Sequence, residues 1–212
     1  MDQITLPYLP FLERVLTPYR LTHTLGVAQV MAKLSRIYHL DRERALLAGL
    51  LHDAAKDLSP QQREALIAEA NIPNQTAWER DYVLYQHGPV GAYYVQKELG
   101  ITDPIILDAI TMHTYCGEGE NFYSPLVWCL RFADILEPGR HWDGKARWLK
   151  IGEPLLRRLV FGGQLEEAAF LQTGLLIRFF EDTNSPIHPN MHKANQHYAA
   201  RTGLNDSWFI FE

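Results

Sequence analysis

Ala45-Leu46-Leu47-Ala48-Gly49-Leu50-Leu51-His52-Asp53-Ala54-Ala55-Lys56 is the stretch on which the fold turns. Seven small or aliphatic residues run without a polar interruption into a histidine and an aspartate, and a lysine follows three residues later. A helix that is apolar on every side is surrounded by protein rather than water. An imidazole and a carboxylate at its end are costly to bury unless they are paired or hold a metal. Taken alone, the pair also fits a core helix whose end has reached the surface, with Asp57, Ser59 and Pro60 opening a loop. The remainder of the chain decides between the two.

Outward from this stretch the punctuation is helical. Asp41 is a suitable N-cap for the central helix, with Arg44 at the third helical position. Before it, residues 21–40 carry Val27, Val30, Met31, Leu34 and Tyr38 at helical spacing. Earlier still, Pro7, Pro10 and Pro18 bracket a short helix around residues 11–16. After it, Ser59-Pro60 opens a helix to about Ala70, and residues 78–84 suggest a further turn or two. His87-Gly88-Pro89 reads as a break, with Pro89 starting a helix through Leu99-Gly100. Asp103-Pro104 and Ser124-Pro125 open two more, the first ending at His113 and the second containing Asp134. Beyond Glu137-Pro138-Gly139, residues 142–149 are ambiguous, 153–161 read as helix, and 164–181 form an amphipathic helix behind Gly162-Gly163. In the tail, His188 and His192 are four apart, but Pro189 weakens a regular helix there. No repeat or strand alternation is present, so the expected fold is all-α. We expect residues 1–140 to form the core with the site, and 141–212 a C-terminal helical extension packed on the same domain.

At 212 residues the chain suits one medium domain, able to bury about 70% of its unfolded surface without a staple. A net charge of -5 argues against a nucleic-acid coat, and it requires that an anionic substrate meet locally placed cations. The two cysteines, Cys116 and Cys129, have neither zinc-type spacing nor a disulfide framework, so reduced thiols and a cytoplasmic location are expected. No signal peptide is read at the start, and no apolar run approaches ~20 residues, so no membrane span is expected.

Five segments then supply ligand-type side chains near predicted helix ends: His23, His52-Asp53, His87, His113 and Asp134. Four imidazoles and two carboxylates, with no thiolate, suit one or two first-row divalent ions better than calcium or a structural zinc. Six candidates exceed the needs of one ion and suggest two, sharing a carboxylate.

The order His, His-Asp, His, His, Asp resembles the dinuclear branch of the HD-domain phosphohydrolases. Arg20-Leu21-Thr22-His23-Thr24, His52-Asp53-Ala54-Ala55-Lys56, His87-Gly88-Pro89-Val90-Gly91, Thr111-Met112-His113-Thr114 and Ala133-Asp134-Ile135-Leu136-Glu137-Pro138-Gly139-Arg140 narrow the likeness. Together they resemble the bacterial symmetrical diadenosine tetraphosphatase family. The resemblance implies hydrolysis of diadenosine tetraphosphate to two ADP, with His23, His52, Asp53 and Asp134 around one metal. It places His87 and His113 around the other, with Asp53 bridging, and iron or manganese ahead of zinc. It gives Asp53 and Lys56 catalytic roles and assigns substrate phosphates to Arg20, Thr24, Lys56 and Arg140. Two features depart from the family. Residues 115–123, Tyr-Cys-Gly-Glu-Gly-Glu-Asn-Phe-Tyr, replace its short arginine-bearing loop, and Ile135 replaces a tyrosine. A broader nucleotide phosphohydrolase and a non-catalytic nucleotide-binding protein are the competing readings. The C-terminal helix and aromatic tail offer surfaces for a homodimer, and no nucleic-acid partner is expected.

Overall fold

In the computed structural model, which describes residues 2–72, 82–142 and 144–209, the chain is all-α, and no strand occurs among those residues. It divides into two compact units, Met1–Gly139 and Arg140–Glu212.

The first unit is built on α2 (Pro18–Ile37) and α3 (Arg42–Leu51). Thr17 and Asp41 cap them, each side chain accepting from a backbone amide of the first turn. Every α3 residue from Ala45 to Leu51 is buried, because α2, α6 (Pro104–Met112) and α7 (Pro125–Leu136) all pack on it. Leu46, Leu47, Leu50 and Leu51 join Leu12 of α1 (Leu9–Val15) and Ile110 of α6 in one core cluster. Burial of each such leucine is worth about 1.5–3 kcal/mol. α4 (Pro60–Ala70) begins with a complete Ser59–Gln62 capping box and packs on α5 (Val83–Leu99).

α5 overturns the break expected at His87-Gly88-Pro89, for the helix runs straight through with Pro89 inside it. Proline removes the amide that would serve the carbonyl four residues back, here that of Tyr85. The loss is made good from outside the helix. Thr114 Oγ1 donates to the Tyr85 carbonyl at 2.8 Å, and Cys116 Sγ approaches it at 3.1 Å. Gly88 permits this closeness, since a Cβ there would stand 2.5 Å from Thr114 Oγ1 and 2.6 Å from the Thr111 carbonyl. Residues 78–81 of the helical turn expected before α5 lie outside the described residues.

In the second unit α8 (Arg147–Phe161) starts six residues before the helix expected at 153, carrying Pro154 within it, and packs on α9 (Leu165–Asp182). The tail also differs from expectation. Pro189 opens α10 (Pro189–Thr202), with His188 as its N-cap accepting from the Asn190 amide. Proline is well placed at the first helical position, where its missing amide has no intrahelical partner.

Candidate metal centre

α3 ends at Leu51, and the site begins where it stops. Residues 52–57 continue as tight turns, with amide-to-carbonyl bonds Ala54 to Leu51, Lys56 to Asp53 and Leu58 to Ala55. Lys56 is therefore carried by three-residue turns and not by an extension of α3. Such turns bring residues three apart into register, so Lys56 still shares a side with Asp53. Its Nζ reaches His87, 3.0 Å from Nδ1.

The structure brings His23, His52, Asp53, His87, His113 and Asp134 together from five segments of the chain. They form two buried groups, His23-His52-Asp53 and Asp53-His87-His113, each with one ligand atom per residue within 4.8 Å of the others. Asp53 belongs to both and divides its oxygens between them. Oδ2 faces His52 Nε2 at 3.7 Å and His23 Nε2 at 3.8 Å, while Oδ1 faces His87 Nε2 at 3.1 Å. Asp134 Oδ1 lies on the first side, 3.1 Å from His23 Nε2 and 3.9 Å from His52 Nε2.

Hydrogen bonds at the far side of each ring aim these nitrogens. His52 Nδ1 donates to the Gly49 carbonyl at 2.8 Å, and His113 Nδ1 to the Ile110 carbonyl at 2.6 Å. A carbonyl only accepts, so in both rings Nδ1 carries the proton and Nε2 presents its lone pair. His87 Nδ1 lies 3.0 Å from the Val83 carbonyl, one turn back on α5, where Lys56 competes for it. His23 Nδ1 meets a carboxylate instead, Glu137 Oε1 at 3.1 Å.

The donor set fits divalent cations on observations of this structure. His52 Nε2 is fully buried and has no hydrogen-bond partner among the described residues. An orphaned buried nitrogen of this kind calls for a partner. His87 Nε2 and His113 Nε2 converge to 3.0 Å beside Asp53 Oδ1, close enough for both rings to turn toward one cation. Burial pushes the pKa of His52 and His87 down, and that of His113 well down, so these imidazoles are neutral as metal ligands must be. Burial opposes ionisation of Asp53, but His52, His87 and the Lys56 ammonium outweigh it and hold the carboxyl well below its usual range.

The substrate-type residues separate. Arg20 Nη1 donates to Asp53 Oδ2 at 2.8 Å, at the edge of the site. Thr24 is fully buried and donates to the Arg20 carbonyl, so it would support a substrate through Arg20 rather than by touching it. Arg140 opens the second unit and stacks over Trp142, 4.9 Å from the ring centroid.

Sequence reasoning missed two buried groups. Glu137 was visible only as part of a motif. Arg131 lies within 4.5 Å of the ring centroids of Tyr115, Phe122 and Trp128 and donates to the Met112 carbonyl at 2.6 Å, fixing the end of α6 from which His113 projects. An arginine set within the apolar run from Leu126 to Ala133 was the signal available. Cys129 is buried and free, its thiol pushed up by burial, in keeping with a core residue.

Such an all-α bundle with a histidine-aspartate cluster at its helix ends defines a class. The chain belongs to the HD-domain family, whose model matches residues 20–139. Along most of its length it is similar to two proteins named symmetrical bis(5'-nucleosyl)-tetraphosphatase. The one from Halalkalibacterium halodurans is 36% identical, covering 82% of this chain and 86% of that protein. The one from Bacillus subtilis is 29% identical over 82% of this chain and 87% of that protein. Among solved structures, an HD superfamily hydrolase described as involved in NAD metabolism, from Clostridium acetobutylicum, superposes with a TM-score of 0.77. It is 28% identical, covering 94% of this chain and 97% of that one.

Proposed function

We propose that this protein is a metal-dependent phosphoric anhydride hydrolase that cleaves diadenosine tetraphosphate symmetrically, giving two ADP. The names of its relatives support the substrate, and the division of the Asp53 oxygens between two histidine groups supports a paired metal centre. His23, His52, Asp134 and Asp53 Oδ2 would hold one ion, and His87, His113 and Asp53 Oδ1 the other, with iron or manganese favoured over zinc by the hard and borderline donors. Such ions supply Lewis-acid polarisation of phosphate oxygens and an activated water.

The protein's own residues do the rest by position and charge, which is what phosphoryl transfer chiefly requires. Asp53 stays ionised and fixes the spacing of the two groups. Arg20 and Lys56, at the edge of the site, bring positive charge to an acidic chain, and on this reading each meets a phosphate oxygen. Arg140 is proposed for a further phosphate. One water adds to a central phosphorus, the bridging P–O bond breaks, and each half departs as ADP. The acidic segment 115–123, which follows His113, favours a second reading, a wider nucleotide phosphohydrolase acting on shorter phosphate chains as well.

No helix among the described residues is long and apolar enough to cross a membrane. A cytoplasmic homodimer is the setting proposed, and size-exclusion with light scattering tests the dimer. The reaction is tested by incubating the metal-analysed protein with diadenosine tetraphosphate, ATP and ADP, and resolving products by anion exchange. ADP as sole product of the dinucleotide is expected. ATP with AMP, or no turnover after metal reconstitution, overturns the proposal.

A further inference from the structure

Glu137 follows the last residue of α7 and is buried, with both carboxylate oxygens committed. Oε1 lies 3.1 Å from His23 Nδ1, and Oε2 accepts from the Gly139 amide at 2.6 Å. The carboxylate presses on α2 at Gly26, where a Cβ would stand 2.6 Å from Oε2. His52 and His113 are set differently, each by a neutral carbonyl of its own helix three residues back. His23 is instead held from another helix, between two carboxylates of α7 and its end. Asp134 Oδ1 stands 3.1 Å from its Nε2, and Glu137 Oε1 meets its Nδ1 at 3.1 Å. Asp134 and Glu137 are three residues apart, one in the last turn of α7 and one just past its end, and both approach the His23 ring.

We propose that Glu137 is a positioning residue for one ion of the pair, a role that rests on the metal-centre reading above. It holds the His23 ring by Nδ1, aims Nε2 at the space beside Asp134 and Asp53, and locks α2 to the end of α7. Gly26 is part of the same device, because the carboxylate occupies the space a side chain would need. Partners of this kind fix the tautomer and orientation of a ligating histidine, and their loss typically weakens metal binding ten- to a hundredfold. Among the described residues Glu137 is hydrogen-bonded to His23 and to neither His87 nor His113, so the effect falls on one ion alone.

The test is calorimetric titration of chelator-stripped protein with Mn²⁺, comparing wild type with Glu137→Gln and Gly26→Ala. Glutamine has a single acceptor oxygen where Glu137 receives two donors, so one donor meets an N–H. Two ions are expected in wild type. In each variant one ion keeps its affinity and the other binds ten- to a hundredfold more weakly. The double variant should be no worse than the weaker single one, because both changes disable one carboxylate. Circular dichroism and thermal unfolding of the stripped proteins separate misfolding from a local effect. Two ions bound by Glu137→Gln with wild-type affinity, or both weakened alike, overturn the positioning role while leaving the metal centre standing. No ion in reconstituted wild type removes the metal centre and the role together.

Discussion

Thr114→Val tests how a proline is accommodated inside α5. The wild-type hydroxyl donates at 2.8 Å to the Tyr85 carbonyl, whose helical donor is absent because residue 89 is proline. Valine puts a methyl group where the hydroxyl was, so shape is nearly kept and the hydrogen bond is lost. A buried bond of this kind contributes about 0.5–1.5 kcal/mol net, and an under-satisfied buried carbonyl costs about 1–3 kcal/mol. The Cys116 thiol at 3.1 Å remains as a weak donor, which places the expected loss at about 1–2 kcal/mol. For a chain of this size that lowers Tm by about 2–8 °C. Thr114→Ser retains the donor and should retain most of the stability. The decisive comparison is Pro89→Ala, which returns an amide to the helix and gives the Tyr85 carbonyl a local donor. In that background Thr114→Val should cost about 1 kcal/mol less, a coupling outside the scatter of independent sites. Urea denaturation of the four metal-free proteins measures it. Equal losses in the proline and alanine backgrounds would refute the reasoning, as would a Thr114→Val protein as stable as wild type. Because Tyr85 precedes His87 by two residues on α5, a loosened turn should also weaken binding of the ion assigned to His87 and His113.

Three further outcomes follow from the same geometry. Asp53→Ala should abolish binding of both ions, since each oxygen faces one histidine group, and elemental analysis showing wild-type metal content in this variant would contradict a shared carboxylate. Lys56→Ala should keep metals and fold but lower kcat/KM for diadenosine tetraphosphate about tenfold to a hundredfold, the worth of one charge-assisted contact; turnover as fast as wild type would remove the lysine from the substrate site. Metal-free protein should lose stability as pH falls below the ordinary imidazole value of about 6.5. His52, His87 and His113 stay neutral in the fold because burial lowers them, so the unfolded chain binds more protons there, and Asp53 acts in the same sense at lower pH. Each imidazole adds a limiting slope of about 1.4 kcal/mol per pH unit, and a stability flat between pH 7.5 and 5.5 in urea titrations would show that these rings are not held neutral.

Much of the helical framework is local chemistry and is therefore legible in the chain. Asp41, Ser59, Asp103 and Ser124 each accept from a backbone amide of the helix they open, as their positions before helical runs and prolines foretell. The unbroken apolar run to Leu51 implies burial on all sides, and the ligand types at His23, His52, Asp53, His87, His113 and Asp134 are read directly as residue identities. What the tertiary structure alone decided concerns partners distant in sequence. Whether Pro89 breaks a helix depends on a donor at Thr114. Which oxygen of Asp53 serves which histidines depends on how α2, α5, α6 and α7 meet around the end of α3. Glu137 acquires its contact with His23 across 114 residues, and Arg131 its three aromatic neighbours only once α7 has packed beside the end of α6. Caps and periodicity act within a turn or two of backbone, so one sequence window contains both partners. Hydrogen-bond compensation and side-chain aim act through space, and their partners are set only when the helices have packed.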